Sequence, residues 1–270
     1  MNPRTKHLLA LMLLTASVAL FICPVPFNWN RLVKRSGERP SLEQMLDYFA
    51  RRNSSNCRLY YEFGGVLNRS PSLTFYDGQK AVCMDEAVAP VPGRCLVYSF
   101  GNNGEWSFDD RMAEFGCNVH VFDPSVYSWN HRRSNRTWFY RIGVSGSAES
   151  RNAKGWRMMT LEAIRRQLGH QNVTIDYLKM DIEGDEWSIL SRWLAEWTPQ
   201  QWNQIKQLAL EVHLGDPSEM VVQYHIIRRL EELGFTRFFS RENPWSRSPD
   251  LNDTATCYEI AWFNRYYLSN

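Results

Sequence analysis

The densest group of chemistry-bearing side chains is in residues 176–186, which read DYLKMDIEGDE. Lys179, Asp181 and Glu183 recur at every second position, so on an extended chain they point to one side. A lysine and two acids on one side of a buried strand are costly unless they pair or serve a site. Two chemistries follow: orienting a polar acceptor, or capping the sheet with a lysine–carboxylate network. A second apolar run ends in Glu211-Val-His213, adding an acid and an imidazole. His213 could take a proton from a substrate hydroxyl near neutral pH.

Two further motifs suit ligand binding. Gly101-Asn-Asn-Gly104 follows the apolar run 95–100, and two glycines there let the backbone turn tightly and approach a ligand closely. Asp123 closes the next apolar run about 20 residues on, where an acid can accept both hydroxyls of a ribose. A dinucleotide fingerprint needs further glycines in register, and Asn103 and Trp106 stand in their places. A diphosphate cradle is therefore not expected. S-adenosylmethionine, which carries no phosphate, makes no such demand.

Strands and helices must carry these residues to one rim. Apolar runs predict strands at 95–100, 119–122, 139–142, 175–180, 208–213, 235–239 and 258–263. Helices are expected at 105–115, from the Thr160 cap through 168, at 186–197 and at 218–233, with Gly116, Gly169 and Gly234 as stops. Ser41 caps an earlier helix with Leu42, Met45, Leu46 and Phe49 on one face. Residues 53–94 give mixed turn signals, consistent with a lid or a disulfide-tied layer. Alternating strands and helices predict an α/β fold with a doubly wound, mostly parallel sheet. The last two strands form an antiparallel edge hairpin, and ligands belong at the carboxyl ends of the strands.

Composition sets the outer limits. At 270 residues and 44% hydrophobic content, the chain has room for one globular domain and an appendage. A net charge of +2 gives no electrostatic reason to expect nucleic-acid binding. The six cysteines match no zinc spacing. Cys23 lies in an apolar segment, and four of the other five could form two disulfides in any of three pairings. Residues 8–23 are apolar and uncharged between Arg4, Lys6, His7 and Pro24, which reads as a signal anchor or a cleaved signal peptide. Asn53, Asn68, Asn135, Asn172 and Asn252 open glycosylation sequons. Residues 1–27 are thus expected to be a cytoplasmic tail and membrane anchor, and 28–40 a stem. Residues 41–270 form a lumenal domain in the Golgi or endoplasmic reticulum, secreted if the anchor is cleaved. Within it, 41–94 are the N-terminal layer and 95–265 the core.

Residues 98–109 (YSFGNNGEWSFD), 116–125 (GCNVHVFDPS) and 178–187 (LKMDIEGDEW) together resemble the methyltransferase-like protein 24 family and, more distantly, FkbM-type O-methyltransferases. The resemblance covers roughly residues 55–265. It implies a Rossmann-like class I methyltransferase with a seven-stranded sheet that binds S-adenosylmethionine. The cofactor would meet Ser99, Gly101, Asn103, Gly104, Asp123 and Asp181. Lys179, Asp181, Glu183 and His213 would face the acceptor, a hydroxyl of a glycan or secreted small molecule. Some sugar methyltransferases of similar fold use a divalent metal, for which Asp181 is the candidate ligand. Ser99 departs from the class, which carries an acid two residues before the first loop glycine. The alternative is a catalytically silent binding module on the same fold.

Overall fold

The computed structural model describes residues 40–52, 56–69, 74–148, 151–244, 246–248 and 253–269. The apolar segment at 8–23, residues 28–39 of the expected 28–40 stem, Asn53 and Asn252 lie outside the described residues. Among the described residues, no helix is long and apolar enough to cross a membrane.

The chain opens with helix α1 (Leu42–Ala50), then strands β1 (Tyr60–Phe63), β2 (Val66–Arg69), β3 (Thr74–Asp77) and β4 (Lys80–Cys83). Next come β5 (Leu96–Phe100), α2 (Ser107–Phe115), β6 (Asn118–Phe122), β7 (His131–Arg132), β8 (Thr137–Tyr140), β9 (Gly143–Val144) and β10 (Met158–Met159). They are followed by α3 (Leu161–Leu168), β11 (Ile175–Met180), α4 (Glu186–Glu196), α5 (Pro199–Trp202), β12 (Ile205–His213) and α6 (Pro217–Glu232). The chain ends with β13 (Phe235–Glu242), β14 (Arg247–Ser248), β15 (Thr254–Ala255) and β16 (Cys257–Asn264).

The main sheet has the order β13-β16-β12-β11-β5-β6-β8-β7. The run from β12 to β8 is parallel. β16 inserts antiparallel between β12 and β13 and supplies the expected edge hairpin. The sheet is eight-stranded rather than seven-stranded. The extra member is the two-residue β7, which pairs antiparallel with β8 and is too short to leave a period in the sequence. The third expected strand runs over 137–140 instead of 139–142, and α2 starts at Ser107 rather than 105. Glu105 instead caps that helix from outside, its carboxylate accepting from the Ser107 amide and hydroxyl.

Every residue of β5 and β11 is buried, because both faces of the sheet are covered. On one face Tyr98, Phe100, Leu178 and Met180 pack against α1, α3, α4 and α6. On the other, Val97, Val119 and Tyr177 pack against Phe108 and Met112 of α2 and against Ala81 and Val82 of β4. β4 belongs to the segment without clear sequence signals, which contains two strand pairs, β1–β4 and β2–β3. A Cys57–Cys83 disulfide ties that layer together. A second disulfide, Cys95–Cys117, joins the residues preceding β5 and β6, and Cys257 is a buried free thiol.

The Cys95–Cys117 bridge closes a loop with a sequence separation of 22, containing the whole β5–α2 unit. Replacing both cysteines by serine is expected to cost roughly 2–4 kcal/mol. Urea unfolding of the variant checks this, and an unchanged midpoint would refute it.

Candidate active site

The parallel strands reverse direction of build-up between β5 and β11, and a cleft of about 830 Å³ opens there at their carboxyl ends. Its floor is a close contact between two strand ends. Asp181 donates its amide to the Phe100 carbonyl at 3.0 Å. A β-carbon on Gly101 would lie 1.7 Å from the Asp181 carbonyl oxygen, so only glycine fits, and its φ of +75° suits glycine as well. Lys179 donates to the Gly101 carbonyl and lies 3.4 Å from the Asp181 carboxylate.

The Asn102–Asn103 turn is held from the neighbouring strand. Asp123 Oδ2 accepts from the Asn102 and Asn103 amides at 2.9 and 2.8 Å. Its Oδ1 accepts from the Ser125 amide and hydroxyl at 2.8 and 2.5 Å. All four acceptor positions of this buried carboxylate are thus occupied from within the protein. Asn103 takes a left-handed φ of +46° and lines the cleft with Gly101 and Asp123. Two expected members of the set lie elsewhere. Ser99 is fully buried beneath the turn, and neither it nor Gly104 is part of the cleft wall.

The acid that Ser99 does not supply arrives from α2. Asp109, in the helix's first turn, is 1% exposed and lines the cleft, with the buried Ser99 hydroxyl beside its carboxyl. Its Oδ2 accepts from the Asn102 side-chain Nδ2 at 3.5 Å. Burial pushes the Asp109 carboxyl up to about 6, against the opposing pull of Lys179. Asp109 sits inside the 98–109 motif, but only the helix start at Ser107 turns it towards the cleft.

Opposite the turn, the expected alignment of Lys179, Asp181 and Glu183 holds for two of the three. β11 stops at Met180, and Glu183 adopts a φ of +61° with its side chain 80% exposed. The cause is Glu186, whose buried carboxyl accepts from the Ile182 and Gly184 amides at 2.7 and 2.8 Å and curls the segment into a loop. Glu183 consequently faces His213, 3.7 Å from its Nε2. His213 lines the cleft, and its Nδ1 is buried without a partner.

Behind Asp181 lies a group that the sequence does not bring together. Lys80 of β4 donates to Asp181 Oδ2 at 3.0 Å and to Glu259 Oε1. Glu211 adds a third carboxyl, held by Asn243 at 2.7 Å. The two lysines hold the Asp181 carboxyl far below the usual carboxylate range despite its burial. Burial and the neighbouring Asp181 push Glu211 up to about 9, so it keeps its proton at neutral pH. The expected divalent metal does not fit this set: a lysine ammonium already sits between the carboxylates and would repel it.

Four buried carboxyls have raised values: Asp109, Glu211, Glu259, and Glu186, which burial pushes up to about 7. Each stays protonated in the fold at pH values where the unfolded chain ionises, so the native state binds more protons. From about pH 7 to 9, where the buried neutral His120 and His170 no longer oppose them, these carboxyls should therefore lower stability by a few kcal/mol as pH rises. Asp181 acts oppositely, its contribution being lost only on strong acidification. Urea unfolding across this range tests the sign, and a midpoint that climbs steadily to pH 9 would contradict it.

A family model described as a methyltransferase domain matches residues 68–263. Human "Probable methyltransferase-like protein 24" is 29% identical over 189 residues, which is 63% of this chain and 50% of that protein. The Rattus norvegicus protein of the same name is 30% identical over 206 residues, 68% of this chain and 55% of that one. The chain spans about half the length of these curated relatives. Among solved structures, a putative hemolysin from Streptococcus thermophilus aligns over 71% of this chain and 73% of its own. At 11% identity and a TM-score of 0.37, that likeness carries no weight. With a strand order that puts the switch point between β5 and β11, and a family match across the whole core, this chain belongs to the methyltransferase domain family.

Proposed function

We propose that this chain transfers a methyl group from S-adenosylmethionine to a hydroxyl of a glycan or secreted small molecule, in the lumen of the secretory pathway. The observation that carries the cofactor half is the buried Asp109 carboxyl beside the glycine turn, on a residue of the cleft wall. A buried acceptor of this kind suits the cofactor's ammonium, and it supplies the negative charge that Ser99 lacks. Val144, Met158 and Pro124 give the same cleft an apolar end suited to the adenine. Asp123 would receive the ribose through Oδ1, a sugar hydroxyl taking the place of the Ser125 hydroxyl while Oδ2 keeps the turn in place.

S-adenosylmethionine supplies the activated methyl group, and the chain's own residues do the rest. Catalysis rests mainly on holding donor and acceptor in line. His213 is the base that removes the hydroxyl proton as the new bond forms. Asp181, kept ionised by its lysines, is a weak base and serves to orient the acceptor, with Glu183 at the outer rim. Asp77, Asn243 and Ser246 line the acceptor side, a set of polar groups suited to a polyhydroxyl ligand. Two disulfides and the exposed sequon residues Asn135 and Asn172 support an oxidising, glycosylating compartment. The silent-module alternative draws on Ser99, and the nearby carboxyl of Asp109 supports the active reading instead.

Calorimetric titration of the full chain with S-adenosylmethionine and its demethylated product tests the cofactor half. Micromolar binding is expected. Asp109→Asn should weaken it by roughly tenfold to a hundredfold, the loss of a hydrogen bond to a charged group. No binding by folded, disulfide-intact protein would favour the silent module. With an acceptor in hand, His213→Gln should lower kcat about a hundredfold while cofactor affinity stays unchanged.

A further inference from the structure

Asp181 directly follows β11, Glu211 and Glu259 lie in the neighbouring strands β12 and β16, and each of the three offers a carboxylate oxygen within 4.8 Å of the others. Three converging carboxylate oxygens at a strand-end cleft are a donor set suited to a hard divalent cation. The cation present is instead an ammonium. Lys80 reaches in with its side chain 1% exposed, 3.0 Å from Asp181 Oδ2 and bonded to Glu259 Oε1. Lys179 lies 3.4 Å from the same Asp181 oxygen, so two positive charges share the cluster.

Lys80 does not arrive there on a free side of the molecule. Its strand is fastened to the sheet by buried contacts outside the cluster. The Gln207 side chain accepts from the Cys83 amide and donates to the Cys83 carbonyl, each at 2.8 Å. The Tyr177 hydroxyl donates to the Ala81 carbonyl at 2.8 Å, and Cys83 is disulfide-bonded to Cys57. The strand is thus pinned one and three residues beyond Lys80, which holds the ammonium in place among the carboxylates.

We propose that Lys80 is a built-in cation that takes the position of a divalent metal, orients Asp181 as a positioning residue, and makes this site metal-independent. The inference builds on the proposed acceptor role of Asp181, but what it asserts about ion binding stands apart from methyl transfer. A divalent ion would have to expel a buried lysine whose strand is clamped at two further points, and would then face Lys179. Removing the ammonium while keeping an unbranched side chain should convert the carboxylates into a metal site.

Mn2+ binding to the full chain, read by loss of the sharp aqueous electron-paramagnetic signal, tests this in two arms. The unmodified protein is expected to bind no specific Mn2+, and Lys80→Met is expected to bind one equivalent at least an order of magnitude more tightly. One tightly held ion in the unmodified protein that Asp181→Asn abolishes would overturn the proposal. So would a folded Lys80→Met protein that binds none. If that variant does not fold, the unmodified protein decides alone. Because neither arm reads methyl transfer, a chain unable to bind S-adenosylmethionine would refute the proposed function and leave this result intact.

Discussion

The site depends on how closely the ends of β5 and β11 approach each other. The Gly101 α-carbon lies so near the Asp181 carbonyl that no side chain fits, and the Asp181 amide completes a hydrogen bond to Phe100. That contact forces the chain to leave β5 in a left-handed turn and carries Asn102 and Asn103 across to the Asp123 carboxylate. It also brings the Gly101 carbonyl over Lys179. A larger residue at this position would disturb the turn, the lysine and Asp181 together, because all three share the same few ångströms.

Charge is handled in one way around Asp181: each buried ion there has a partner or gives up its charge. Asp181 and Glu259 share Lys80, and Lys179 adds a second cation. Glu211, with no cation of its own in hydrogen-bond reach, retains its proton instead. A buried ion pair contributes little net stability, but one left with a missing partner is costly. The cluster is therefore rigid in charge as well as in geometry, which suits a site that orients a neutral hydroxyl and leaves proton removal to the more exposed His213.

The loop from Asp181 to Asp185 shows how a local device can redirect a motif. On an extended strand, alternation would align Glu183 with Asp181. The Glu186 carboxyl, buried and bonded to two loop amides, ends the strand and turns Glu183 outwards to His213. The result separates an inner carboxylate fixed by lysines from an outer one facing solvent.

The alternation of apolar runs with capped helices determined the α/β architecture, because burial on both faces of a parallel sheet leaves continuous apolar strands. It also marked Gly101, Asn103, Asp123, Asp181 and His213 as strand-end residues, and all five line the cleft. Tertiary structure alone decided the rest. Lys80 carries no local signal, since it comes from a layer without clear periodicity, and Asp109, though inside the 98–109 motif, reaches the site only through the helix face set by where α2 starts. Glu259 meets Lys80 across a sequence separation of 179, at a point defined only by β16 inserting between β12 and β13. Pairings over such distances follow from packing and strand order, and no residue pattern within either segment encodes them.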